Sequence, residues 1–336
     1  LSSAASDVYK RQVIILCLTV ICFFVVKNIR TVSKITFDCI YFTFVKTLFP
    51  YENVFVVEKE KIVIKEPEKK EKEETIVDAA AKIIDRENLL NYDYVIKNFY
   101  VVQGSTSLSK DRLNLEKISN IDLTIEKNAN EPQILIFHAH GQEWFADTKE
   151  NGKTIVDVGE HLAEILRKQY GFNVLHITES YDLVDGVFDR AKAYDYANER
   201  LDEILKENPG IKVVIDLHRD GIDENRHLVT EINGKPTANV MLFNGISYSN
   251  EEGEQKEFAN PYLEENLAMT YKMFLLGKIY YPEFFRCIYI SDYRFCLYHV
   301  PRSMLIEAGA QTNTYEEVYN AMEPLAHLIN LELTCK

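Results

Sequence analysis

Two short stretches put histidines and acids directly after aliphatic runs. In "ILIFHAHGQEW" (Ile134 to Trp144), four hydrophobic residues lead into His138, His140 and Glu143. His140 and Glu143 form an H-x-x-E spacing, which lets an imidazole and a carboxylate from one loop meet the same cation. In "VVIDLHRDG" (Val213 to Gly221), an aliphatic run again ends in a histidine, His218, followed by Arg219 and Asp220. Zinc commonly takes neutral imidazoles and a carboxylate, and in a catalytic site it leaves one position open for water. His140, Glu143 and His218 would supply three such ligands, with Asp216 and Asp220 able to orient histidine ring nitrogens. An ordinary surface loop can also carry H-x-x-E, so the spacing alone decides nothing.

A third stretch, "PRSMLIEAGAQTNT" (Pro301 to Thr314), delivers Glu307 from the apolar run Met304 to Ile306. An acid at the end of a buried strand costs free energy unless it is paired or used. It is placed to take a proton from metal-bound water and return it to a leaving amine. The other histidines read as surface or core: His161 and His327 in helices, His176 in a strand, His227 after a charged loop and His299 after an aromatic stretch. His138 stays ambiguous, because strand alternation points it the same way as His140, as a substitute ligand or a lining group.

The elements that must hold these residues alternate. Strands are predicted at Ile134–Phe137, Asn173–Ile177, Val213–Asp216, Val240–Phe243, Ile288–Ile290 and Ser303–Ile306. Amphipathic helices are predicted at Thr154–Tyr170, Asp189–Glu207 and Pro261–Leu276. A last helix spans Thr314–Asn330, with Thr314 as N-cap and Glu317 as its capping-box acid. Helical periodicity also runs over Thr75–Leu90, and "NFYVVQGSTS" reads as a strand and turn. The fold class is α/β, with helices on a mixed, mainly parallel sheet. In such sheets ligands gather at the carboxyl ends of the strands, where all three stretches lie.

The chain has 336 residues and a formal charge of −14, which argues against a nucleic-acid partner held through phosphates. The six cysteines form no CxxC pair, so neither a zinc ribbon nor a disulfide framework is indicated, although a Cys287–Cys296 bridge is conceivable. The opening "LSSAASDVYKRQ" reads as a cloning or sequencing scar. Val13 to Val26 is a charge-free apolar run of 14 residues, and Ile35 to Phe49 is a second, broken by Asp38 and Lys46. The first run is short of the ~20 residues of a simple spanning helix. A membrane anchor is preferred to a buried helix or a cleaved signal peptide. Glu58 to Glu74 is a dense mixed-charge tract with Pro67 and reads as a solvated spacer.

Together, "ILIFHAHGQEWF", "VDVGEHLAEIL", "VDGVFDRAKAY", "VIDLHRDG", "SMLIEAGAQTNTYEEV" and "AMEPLAHLI" resemble the stage II sporulation protein P family of spore-forming bacteria. The resemblance covers Asn98 to Ile329. It implies a zinc-dependent N-acetylmuramoyl-L-alanine amidase that cuts the amide between the glycan's lactyl group and the stem peptide. Endopeptidase action on cross-links is also attributed to the family. The implied fold is like that of the amidase and zinc carboxypeptidase group, with zinc at the carboxyl edge of the sheet. The domain would occupy residues 76–336, behind a scar at 1–12, an anchor at 13–49 and a linker at 50–75, and would face the cell wall outside the cytoplasm. Peptidoglycan is the implied substrate, and the glycan-cleaving stage II sporulation protein D an implied partner.

Carried over by motif, His140 and His218 look like the zinc histidines and Glu307 like the catalytic glutamate. Glu143 is the preferred acid ligand. Related amidases take a glutamate near the next helix, which would make Glu150 or Glu160 the alternative. Arg219 is a candidate for the oxyanion, with Asp189 and Arg190 as further candidates for substrate contact. The sequence departs from the family at the alanine between the two histidines and at "DYRFCLYHVPRSM", which commonly reads Tyr-Asn-Gln-Asp. The first departure spares every candidate ligand; the second falls near the mouth of the site and bears on substrate detail. Two other classes compete: a non-catalytic wall-binding scaffold, and a metallocarboxypeptidase trimming stem peptides.

Overall fold

The computed structural model describes residues 75–335 except residues 151 and 185. The scar, the anchor and the charged tract expected upstream lie outside the described residues. Among the described residues, no helix is long and apolar enough to cross a membrane.

Seven runs build one sheet: β1 (Tyr100–Val102), β2 (Ile134–Phe137), β3 (Val174–His176), β4 (Val213–Asp220), β5 (Val240–Gly245), β6 (Phe285–Ser291) and β7 (Ser303–Ala310). Their order is β1-β6-β5-β7-β4-β2-β3. Every neighbouring pair is parallel except β5 with β7. The sheet is therefore two parallel blocks running in opposite directions, joined at that antiparallel seam. β2, β4 and β7 belong to one block, so their carboxyl ends share an edge.

Alternation along the strands sorts the side chains onto two faces. Ile134, Ile136, Ile215, Leu242, Ile288 and Ile306 form the larger core. Over it lie helices α1 (Ile155–Lys168), α3 (Leu263–Tyr280) and α4 (Tyr315–Thr334). Burying each such Leu or Ile contributes about 1.5–3 kcal/mol relative to exposure. α3 is buried all round, Thr270 and Lys272 included, as a helix enclosed by its neighbours must be. On the other face, Ala197 and Leu201 of α2 (Ala193–Glu207) meet Leu135, Phe137 and Val214. That helix covers only part of this face. Beside it, Phe243 and its register partner Tyr289 are half-buried on β5 and β6, and Glu307 is half-buried on β7, where it pairs with Met241.

The ends of the helices follow the sequence. Thr154 and Asp157 form a capping box on α1, and Thr314 and Glu317 form one on α4. Three expectations change. The helix expected over Thr75–Leu90 breaks into Ile76–Ala80 and Arg86–Leu89. β4 and β7 each run four residues past their expected ends, to Asp220 and Ala310. Cys287 and Cys296 are free thiols, the first on β6 and the second buried against α2's core, so the conceivable bridge is absent.

Candidate metal centre

β2 stops at Phe137, and the chain turns across the end of β4. The backbone amide of Ala139 donates to Asp216 Oδ1 at 3.0 Å, which fixes where the loop leaves the strand. Farther along, Ile155 N donates to the Glu143 carbonyl at 3.0 Å, tying the loop to the start of α1. His218 and Glu307 sit inside strands, not after them, and are register partners on β4 and β7. Their side chains rise from the face that α2 leaves partly open.

The structure brings His140, Glu143 and His218 together, each offering one ligand atom within 4.8 Å of the others. Among the described residues this is the one such group of three or more His, Cys, Asp or Glu side chains. Glu143 Oε1 lies 3.9 Å from His140 Nδ1, and Oε2 lies 3.5 Å from His218 Nδ1. His218 Nε2 is 2.6 Å from Asp216 Oδ1, close enough for charge pairing but out of line for a hydrogen bond. Glu150 is exposed in a polar turn. Glu160 faces away from the cluster, holding His176 Nδ1 and Arg167 at 2.7 Å each. Of the three candidate acids, only Glu143 stands with the two histidines.

Charge is strongly organised here. Burial pushes Glu143 toward neutrality, but the His218 hydrogen bond and charge overcome it and hold the carboxyl at about 2. Burial also works against charge on His218, yet Asp216 and Glu143 outweigh it and raise its pKa well above the usual histidine value. Burial lowers His140 to about 4. Arg190 donates to His140 Nδ1 at 2.9 Å and to Glu143 Oε1 at 2.8 Å. An arginine can only donate, so His140 accepts through Nδ1 as a neutral ring. Burial raises Glu307 to about 8.

These residues fit a zinc ion. The donor set is two imidazoles and a carboxylate. Moreover, His140 Nε2 and Glu307 Oε2 are sealed from solvent without a hydrogen-bond partner, a cost that a native site normally offsets with an ion or water. A pocket of about 430 Å³ opens over them, also bounded by Tyr194, Phe243 and Phe295.

Other expected residues take different places. Arg219 donates its backbone amide to Glu143 Oε2 at 2.9 Å and its Nε to the Trp144 carbonyl at 3.1 Å. It therefore fixes the acid, while Arg190 is the arginine whose guanidinium faces the ligand atoms. Asp220 pairs with Arg286 at 2.7 Å instead of orienting a histidine. Asp189 caps the turn before α2 through the Ala191 amide at 3.0 Å. His138 is outside the cluster. Its Nδ1 lies 2.7 Å from the Leu217 carbonyl and its Nε2 lies 2.9 Å from His176 Nε2. Burial lowers it to about 3. Phe243 had no sequence signal; Tyr194 closes the same quoted motif as Arg190, itself a candidate for substrate contact, and Phe295 lies in the stretch expected near the mouth of the site.

The fold and the site define an α/β protein with a His–Glu–His cluster on an open sheet face. The profile of the stage II sporulation protein P family matches residues 42–330, and the chain belongs to that family. A cell-wall role in sporulation goes with that membership. No curated protein sequence matches at a significant level. Among solved structures, the chain resembles an N-acetylmuramoyl-L-alanine amidase from Clostridium difficile 630 at 15% identity and TM-score 0.35, over 61% of this chain and 95% of that one. It also resembles the amidase AmiC2 of Nostoc punctiforme at 14% and 0.32, over 61% and 97%. The catalytic domain of CwlV from Bacillus (Paenibacillus) polymyxa var. colistinus matches at 13% and 0.33, over 60% and 95%.

Proposed function

We propose that the protein is a zinc-dependent N-acetylmuramoyl-L-alanine amidase acting on peptidoglycan during sporulation. The supporting observation is the meeting of His140, Glu143 and His218 beside the orphaned Glu307 carboxylate. These three residues would hold the metal. When bound, zinc supplies an activated water and polarises the scissile carbonyl. Glu307, whose Oε2 is buried in the same pocket without a hydrogen-bond partner, takes the water's proton and hands it to the departing L-alanine amine. Arg219 keeps Glu143 turned inward through its amide, and Arg190, at the rim of the ligand atoms, is placed to stabilise the tetrahedral oxyanion. Residues 76–336 form the catalytic domain, anchored through residues 13–49 and facing the wall beside stage II sporulation protein D.

The test is Glu307→Gln assayed on purified peptidoglycan. It keeps zinc bound and loses turnover by at least about a hundredfold. Normal cleavage by this variant would remove Glu307 from the mechanism. Mass spectrometry of muropeptide products separates an amidase from a carboxypeptidase. The second reading needs an arginine for a terminal carboxylate, and Arg190 and Arg294 both line the open cleft.

A further inference from the structure

His140, Arg190, Tyr194 and Phe295 line the metal pocket and also a second cleft, of about 950 Å³, that continues from it. Its far wall is two loops, one following β5 and one following β6. They are bonded to each other: Ile246 N donates to the Ser291 carbonyl at 3.0 Å, and Tyr248 N to that of Asp292 at 3.2 Å. Within the first loop, Ser247 Oγ donates to the Phe258 carbonyl at 2.6 Å. At Gly245 a Cβ would come within 1.8 Å of the Tyr293 carbonyl oxygen, so only glycine lets the loops approach this closely.

Three non-glycine residues among those described have positive φ. Asn233 is explained by its Asn-Gly turn. The other two, Ser247 and Phe295, both at φ 51°, stand one in each loop of this wall. For an aromatic residue such a backbone is costly, and strain of this kind persists where the surroundings enforce it, commonly at ligand sites. The rim bears two unusually exposed rings, Tyr293 at 65% and Phe258 at 53%. Arg294, stacked 3.7 Å over the Tyr298 ring and 5.3 Å from that of Phe258, braces the gap between the loops. Asp195, Glu252 and Glu257 add acceptors to the lining.

We propose that this cleft is the glycan subsite, holding an N-acetylhexosamine ring against Phe258 and Tyr293 with its hydroxyls on the neighbouring acids. The inference rests on the peptidoglycan reading above. The chemistry favours sugar over stem peptide. A sugar is neutral, offers an apolar C–H face to the electron-rich face of an aromatic ring, and donates hydroxyls to carboxylates. The lining sets those acids against Arg190, Lys256 and Arg294, so it carries no net formal charge, and its donors and acceptors together suit the hydroxyls and acetamido group of a neutral sugar.

The probe is chitotetraose, a peptide-free N-acetylglucosamine oligomer, titrated calorimetrically into the full-length protein. Wild type and Glu307→Gln should bind it alike. Phe258→Ala with Tyr293→Ala should weaken binding at least tenfold, Tyr293→Phe should keep it, and Ile83→Ala, at a 57%-exposed position outside the cleft, should keep it too. The proposal is overturned if the double alanine variant binds as wild type does. It is also overturned if wild type ignores chitotetraose but binds the free L-Ala–D-Glu–diaminopimelate peptide. Muropeptide hydrolysis is scored in parallel. Hydrolysis without chitotetraose binding sinks the subsite and spares the amidase reading; rim-dependent binding without hydrolysis does the reverse.

Discussion

The histidine that misses the metal cluster has the most constrained surroundings of any near it. The Leu217 carbonyl can only accept, so His138 Nδ1 carries its proton and donates there, while its Nε2 lies against His176 Nε2 at 2.9 Å. Because the peptide after Leu217 belongs to His218, this bond sets the position of a candidate ligand. Gly159 of α1 leaves room for it: a Cβ there would come 2.5 Å from the His138 ring and 2.9 Å from His176 Nε2. Gly159→Ala gains up to about 1 kcal/mol of helix propensity but incurs roughly 1–3 kcal/mol of overpacking against a ring that cannot move. The variant should unfold at lower urea than wild type; equal or greater stability would show that the contact relaxes freely. Spacing and residue type made His140, Glu143, His218 and Glu307 visible in the sequence, since each follows an aliphatic run. His138 misled because alternation holds only within a strand, and β2 has already ended at Phe137.

At the scale of elements, the hydrophobic pattern located all seven sheet strands, β1 within "NFYVVQGSTS" included, but not where they stop. Val213, Ile215 and Leu217 face the helix-covered core, while Asp216, His218 and Asp220 alternate with them along the same strand. Polar residues on an uncovered face look like the start of a loop, so β4 and β7 read four residues short. The hairpin Val229–Ile232 with Lys235–Ala238 carried a legible mark, its Asn233-Gly234 pair, both residues at positive φ. The α4 cap was fully legible, and it does more than end a helix. Glu317 accepts from Thr314 N at 3.0 Å, Asn313 Nδ2 at 2.9 Å and His227 Nε2 at 2.8 Å, while Asn313 also holds the end of β7 through the Ala310 amide. Although burial opposes ionisation, the bonds from His227, Asn313 and Thr314 win, so the folded pKa of Glu317 lies below its usual value. A depressed carboxyl stabilises the fold above its unfolded pKa, near 4.3, and loses that contribution as pH falls through the folded value. Glu317→Gln should therefore cost about 1 kcal/mol at pH 7 and progressively less below pH 4, measured by urea unfolding. A cost independent of pH would assign the effect to packing instead of charge.

Across the whole molecule, one face of the sheet is a closed core that supplies stability, and the other is left partly open at a cost in buried charge. Asp216 Oδ2, His140 Nε2 and Glu307 Oε2 all lie sealed and unpartnered on that second face. Groups left in this state destabilise the fold by about 1–3 kcal/mol each. An ion that binds only the folded chain offsets the cost through mass action, by about 2.7 kcal/mol at a hundred times its dissociation constant. At roughly 2–4 °C per kcal/mol for a domain of this order, zinc should raise the melting temperature of metal-stripped protein by several degrees. Replacing a ligand and replacing the proposed base then have different consequences. Glu143→Gln removes the charge between two histidines and should abolish the zinc-induced rise. Glu307→Gln keeps all three proposed ligands and should retain the rise while losing the proposed turnover. Differential scanning fluorimetry on the three proteins, with and without zinc, reads both outcomes. An equal rise in wild type and Glu143→Gln would mean that zinc binds elsewhere, and no rise in wild type would mean that the open face holds its buried charges for another purpose.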